Sequence, residues 1–262
     1  MQASTQHFPA HQTARARERE NDARQRLIVA LDVSTAVAAQ KIVAAVGDAA
    51  SLYKVGMQLY TAEGPQVVRD LIASGRRVFL DLKYHDIPNT VRAAVREAAE
   101  LGVTMLNVHA AGGERMLKAA VEAGATSSAK PVVLAVTVLT SMAEDDLSGT
   151  GVPGPVAGQV SRLAALALKC GCGGVVASAQ EAAQLRLELG RDFVIVTPGV
   201  RPAGADKGDQ RRIVTPAQAI AAGADYFVVG RPITEAADPG AAAREIVQSC
   251  GASSVVPQRL KA

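Results

Sequence analysis

The chain contains no tryptophan, and aromatic residues make up only 3% of its 262 positions, so any core has to be aliphatic. Acidic and basic residues nearly cancel, leaving a formal charge of +3 that is too small and too dispersed for a nucleic-acid surface. The one basic cluster, Arg15 to Arg26, is interleaved with Glu18, Glu20 and Asp22 and reads as a solvated lead-in. Three cysteines provide no disulfide framework and fit a reducing, cytoplasmic setting. Cys170-Gly171-Cys172 lacks zinc or redox spacing, and His7, His11, His85 and His109 show no ligand pattern, so no metal is expected. Neither a phosphate-cradling GxxxxGK[ST] loop nor a dinucleotide loop occurs, which leaves the chain without an evident cofactor. No apolar run approaches the ~18 residues of a membrane span, and the first ~24 residues hold no hydrophobic segment of the signal-peptide kind.

What is present is a repeat: a short apolar run, a polar or glycine-bearing turn, then an Ala-rich amphipathic stretch. The apolar runs predict strands at 27–31, 51–55, 77–82, 105–108, 132–138, 174–176, 193–196 and 226–229. Helices are predicted between them, among others at 35–46, 88–101, 114–123, 156–169, 180–189 and 216–222. Strands that are apolar throughout and separated by helices argue for a parallel sheet. Eight such units in this length fit a single-domain α/β chain, a (β/α)₈ TIM barrel over 26–262, preceded by a polar, disordered extension over 1–25. An open doubly wound sheet is the runner-up, weakened because Asp32-Val33-Ser34-Thr35 after the first strand has no glycine.

In such a barrel the chemistry collects at the C-terminal ends of the strands. Those ends carry Asp32, Lys54, Asp81 with Lys83, Asn107 with His109, Thr137 with Thr140, Ser178, Thr197 with Arg201, and Gly230-Arg231. Asp32 and Asp86 could each merely cap the following helix. Lys54, Asp81 and Lys83 lie in or at apolar strands, where ionised groups are costly unless paired. With Asp86 they alternate in sign, so a dry pocket could hold all four charged and keep a lysine ammonium rigid and protonated. That state suits proton donation to carbon and not Schiff-base formation. Thr197-Pro198-Gly199-Val200-Arg201 and Gly230-Arg231 end strands seven and eight, where these barrels bind phosphate.

At these residues the chain resembles the orotidine 5′-phosphate decarboxylase family in its bacterial form. The resemblance rests on Leu31-Asp32, Tyr53-Lys54-Val55-Gly56, Phe79 through Thr90 with its D-x-K-x-x-D-I-P-x-T string, Val138-Leu139-Thr140-Ser141, Thr197 through Arg201, and Val229-Gly230-Arg231. It implies cofactor-free loss of CO₂ from orotidine 5′-monophosphate to give uridine 5′-monophosphate, the last step of de novo UMP synthesis. Lys83 would protonate C6, Asp81 would lie near the leaving carboxylate, and Lys54 and Asp86 would complete the catalytic charges. Asp32 and Lys54 would bind ribose hydroxyls, while Thr140 and Ser141 would sit over the base. Gln210, Gly230 and Arg231 would hold the phosphate, with Pro198 and Arg201 beside them. A homodimer is implied, with Asp86 and Thr90 reaching into the partner's site, and no nucleic acid or membrane as partner. The rival readings are a metal-dependent sugar-phosphate lyase of the same superfamily and a non-catalytic phosphate-binding barrel.

Overall fold

Leu27, Ile28, Val29 and Ala30 are all buried, as a strand must be when it is covered by helices on one face and faces a filled barrel on the other. The computed structural model describes residues 20–202 and 214–252. Within them, strands β1 (Leu27–Ala30), β2 (Leu52–Gly56), β3 (Arg77–Tyr84), β4 (Met105–His109), β5 (Val132–Val136), β6 (Gly174–Val176), β7 (Val194–Thr197) and β8 (Tyr226–Val229) pair in chain order. All pairings are parallel, and β8 closes on β1 through Leu27↔Phe227, Ile28↔Val228 and Val29↔Val229. Closure confirms the expected barrel and removes the open-sheet alternative.

Side chains two apart on a strand share a face, and this period sorts the core into two parts. Ile28, Ala30, Leu52, Phe79, Met105, Leu134, Val196 and Val228 fill the barrel interior. The alternate positions, among them Val29, Tyr53, Val78, Leu80, Leu106 and Val175, pack outward under the helices. Phe79 is the bulkiest of these buried side chains, and truncating it to alanine should cost about 3–5 kcal/mol.

The helices start where the sequence provides caps. Thr35 accepts a hydrogen bond from Ala38 N ahead of Ala36–Val46, so the cap is Thr35 and not Asp32. Pro88 opens Pro88–Glu100 without a side-chain cap, which leaves Asp86 outside that role as well. Thr215 and Gln218 form a reciprocal capping box at Pro216–Ala221. The helix Val156–Lys169 coincides with its predicted bounds. β3 runs two residues further than expected and β5 stops two earlier. The polar lead-in is helical over 20–26, where Ala23 is buried, so this part packs on the barrel instead of being wholly solvated. Residues 1–19, and with them most of the expected extension, lie outside the described residues. Among the described residues no helix is long and apolar enough to cross a membrane.

Candidate active site

The interior period that puts Leu52, Phe79 and Met105 inside the barrel puts Lys54, Asp81 and Asn107 one layer above them. Three adjacent strands thus end their inward rows in polar groups. Across the barrel the corresponding positions of β5 to β8 are Val136, Val176, Val196 and Val228. A cavity of about 560 Å³ opens between the charged side and this valine side, at the C-terminal end of the strands.

The charges on the first side form a chain. Lys54 Nζ donates to Asp32 Oδ1 at 2.8 Å and lies 3.3 Å from Asp81 Oδ2. Lys83 Nζ donates to the other oxygen, Asp81 Oδ1, at 2.6 Å. The order is therefore Asp32, Lys54, Asp81, Lys83, with alternating sign and no net charge. Burial alone would raise the pKa of Asp81, but the Lys54 and Lys83 ammoniums and hydrogen bonds from Lys83 and Asn107 outweigh it and leave the carboxyl below its ordinary value. Burial alone would lower the pKa of Lys54, yet Asp81 and Asp32 reverse the sign and hold it above the ordinary lysine value. Both groups are therefore ionised at neutral pH despite being 8% exposed.

Lys83 reaches this position through an irregular backbone. β3 and β4 pair Leu80↔Leu106 and then Tyr84↔Val108, so three β3 residues, Asp81 to Lys83, stand against Asn107 alone. Lys83 lies in this bulge with φ +52°, a left-handed conformation that costs a non-glycine residue about 1–3 kcal/mol. Its N–H donates to Asn107 Oδ1 at 2.8 Å, and Asn107 Nδ2 donates to Asp81 Oδ1 at 2.7 Å. Beside them the His85 and His109 rings lie 5.4 Å apart. Burial, reinforced by His85 and Lys83 against an opposing pull from Asp81, keeps the His109 pKa below its ordinary value.

Of the residues singled out from the sequence, Asp32, Lys54, Asp81, Lys83, Thr140, Pro198, Arg201, Gly230 and Arg231 line the cavity. Arg201 is buried, its backbone tied to Val214 O. Ser141 is exposed and outside the lining. Asp86 and Thr90 are also exposed and outside it. Asp86 Oδ1 accepts from Ile87 N at 2.6 Å, and among the described residues it makes no ion pair with Lys54 or Lys83. Within one chain the charges therefore run from Asp32 to Lys83 without Asp86. Gln210 lies outside the described residues.

Gln58 and Glu235, which the sequence did not single out, join the lining. Asn107, read from sequence only as a polar strand end, completes the Asp81 and Lys83 hydrogen bonds. Gly56, so far only part of the Tyr53-Lys54-Val55-Gly56 string, has a role of its own: a Cβ there would sit 2.8 Å from Lys54 Nζ and 3.1 Å from Asp32 Oδ1, so glycine keeps that space for the ion pair. At Gly230 a Cβ would meet Ala30 Cβ at 3.5 Å and Asp32 Oδ2 at 3.7 Å, ordinary contacts, so packing within the chain does not demand glycine there.

Residues 25–246 match the model of the orotidine 5′-phosphate decarboxylase / HUMPS family. An orotidine 5′-phosphate decarboxylase from Sodalis glossinidius is 54% identical over 223 residues, covering 85% of this chain and 88% of the relative. One from Moorella thermoacetica is 53% identical over 230 residues, covering 86% and 91%. The crystal structure of orotidine 5′-phosphate decarboxylase from Lactobacillus acidophilus superposes with a TM-score of 0.76 at 40% identity, over 86% of this chain and 99% of that one.

Proposed function

The chain belongs to the orotidine 5′-phosphate decarboxylase / HUMPS family, and we propose that it removes CO₂ from orotidine 5′-monophosphate to give uridine 5′-monophosphate, with Lys83 as the proton donor. As a carboxy-lyase of pyrimidine synthesis it would act through the unit over 26–262, in the cytoplasm. The observation that carries the mechanism is the Lys83 ammonium, 2.6 Å from a buried carboxylate and facing a cavity with an apolar far wall.

In this reading the C6–carboxylate bond breaks heterolytically and its electron pair stays on C6. Lys83 then transfers a proton to C6, and the neutral amine regains one from water. The carbanion has no conjugated electron sink, so the barrier must fall by electrostatics, within the roughly 8–23 kcal/mol that enzymes supply. A cation already held in place by Asp81 needs no reorganisation when charge develops beside it. The apolar wall strengthens that interaction by keeping water out.

Because Asp32, Lys54, Asp81 and Lys83 cancel in charge, the positive counterpart to a phosphate has to come from elsewhere. Arg231 and Gly230 would hold it, with Gln210, Arg201 and Pro198 beside them. A backbone that approaches an anion closely accounts for glycine at 230, where packing does not. Asp32 and Lys54 would take the ribose hydroxyls, and Thr140 with Ser141 the base. Asp86, Thr90 and the 67%-exposed Ile87 stand outside the cavity of their own chain, which fits a homodimer in which Asp86 and Thr90 serve the partner's site.

The test is to incubate the purified protein with orotidine 5′-monophosphate and follow loss of the orotate absorbance, with and without chelator. Turnover that chelator leaves untouched is expected. Metal-dependent turnover of a sugar phosphate in its place would overturn the reading in favour of the other branch of the family.

A further inference from the structure

The geometry points to Asn107 as a positioning residue for the reaction: its carboxamide locks the Lys83 backbone into the bulge and ties it to Asp81, so that the ammonium is aimed from both ends. The inference rests on the proposed role of Lys83 as proton donor.

A regular β3–β4 ladder would give the Lys83 N–H a backbone carbonyl to bond. The bulge between Leu80 and Tyr84 removes that partner. The Asn107 carboxamide replaces it, accepting from Lys83 N at 2.8 Å while donating to Asp81 Oδ1 at 2.7 Å. Asp81 Oδ1 also takes the Lys83 ammonium at 2.6 Å. A ring results, running from the Lys83 backbone through Asn107 and Asp81 to the Lys83 side-chain terminus. Backbone and ammonium of one residue are fixed by two touching groups, which removes most of the freedom of a long lysine side chain.

Asn107 has no exposed surface, and a buried amide is costly unless both its halves are bonded. Its main chain continues the regular ladder to β5 through Asn107↔Leu134, so the side chain alone serves β3. If the position only had to fill the barrel, valine would serve, as at Val136, Val176, Val196 and Val228. Few residues can do what the carboxamide does. It needs an acceptor and a donor on one short planar group: an ionised aspartate has no donor for Asp81, leucine has neither, and glutamine is one carbon too long. Without the carboxamide, the half-buried Lys83 N–H loses its partner and the left-handed φ of +52° loses the bond that offsets its strain. The backbone would relax and swing the ammonium off its line.

Asn107→Ala and Asn107→Asp, compared with wild type across pH, provide the test. In Asn107→Ala, kcat for orotidine 5′-monophosphate should fall by about 10²-fold, the scale of a misplaced reacting group, while affinity for the product nucleotide changes by less than about threefold. Asn107→Asp should be impaired at neutral pH and regain activity relative to wild type as pH falls. A second carboxyl against Asp81 is driven towards its protonated form, and that form donates to Asp81 and accepts from Lys83 N as the carboxamide does. A residue that only supports the fold would not produce this pH-dependent recovery. Asn107→Ala with kcat within about twofold of wild type, or a loss confined to nucleotide affinity, overturns the assignment. So does an Asn107→Asp to wild-type ratio that is flat with pH, and this arm decides alone if Asn107→Ala does not fold. Amide exchange at Lys83 separates this inference from the proposed function, since it needs no substrate. Protection in wild type that is lost in Asn107→Asp at neutral pH supports the ring even if orotidine 5′-monophosphate is not turned over, and unchanged protection refutes it.

Discussion

At the N-terminal end of the barrel, Arg186 donates through Nε to Gly223 O at 3.0 Å and through Nη1 to Phe193 O at 2.8 Å. It also pairs with Asp225, whose Oδ2 accepts from Ile195 N, and its guanidinium lies 4.7 Å over the Phe193 ring. At the C-terminal end, Lys54 and Lys83 are held by the carboxylates of Asp32 and Asp81 and not by main-chain carbonyls. Both ends bury charge, but the first spends it on the backbone of neighbouring strands, while the second spends it on other charges and leaves Lys83 a quarter exposed to the cavity. A buried ion pair becomes a strut when its donors go to main chain. It is a candidate for chemistry when its members are held by each other and by side chains such as Asn107, and carry backbone strain.

This contrast can be broken by exchanging the effects. Lys83→Ala should lower turnover by at least about 10³-fold while unfolding stays cooperative and the midpoint drops little, because Lys54 and Asn107 still compensate the Asp81 carboxylate. Near-normal turnover would end the assignment of the upper cluster as reactive. Arg186→Met should do the reverse. Leaving Asp225 and two carbonyls without their cation should cost about 3 kcal/mol in urea unfolding, with kcat unchanged. Gly56→Ala probes the upper end more gently. Its new methyl displaces the Lys54 ammonium, at the tip of a flexible side chain, so we expect a loss of about tenfold in kcat/KM, roughly 1.4 kcal/mol, and a wild-type melting curve. The smallest effect is in acid. Because the fold lowers the pKa of Asp81, its ionisation contributes stability that is complete above the ordinary value of 3.8 and is lost as pH falls through the lowered one. Asp81→Asn should therefore give a shallower fall in urea midpoint below pH 3.8 than wild type does.

The strands were legible because both their faces are buried, so most of each reads as apolar, although β3 and β5 each missed their expected end by two residues. Pro88 at a first-turn position marked one helix start, whereas the cap at Thr35 went unread and Asp32 was offered in its place. The cavity was legible in outline, since polar residues at strand ends stand out against valine. What sequence spacing does not reveal is how a chain turns. Asp86 lies three residues beyond Lys83, in an exposed turn that keeps it out of the charge chain of its own subunit. The partnership of Asn107 with Lys83 depends on the register between two strands and on a bulge in one of them, neither of which leaves a mark in either strand's own sequence. The role of Gly56 was hidden for a related reason, because it is defined by the volume of an ion pair formed with Asp32, which lies beyond the end of another strand.

The seam between β1 and β8 gives the barrel a clock. Asp32, just beyond β1, and Gly230, just beyond β8, are brought side by side, so that a Cβ at 230 would lie 3.7 Å from Asp32 Oδ2, although almost the whole folded chain separates them in sequence. Contacts of such long range are entropically expensive and slow to form. In refolding followed by both turnover and far-UV ellipticity, activity should therefore return last, so that catalytic competence times the closing of the ring.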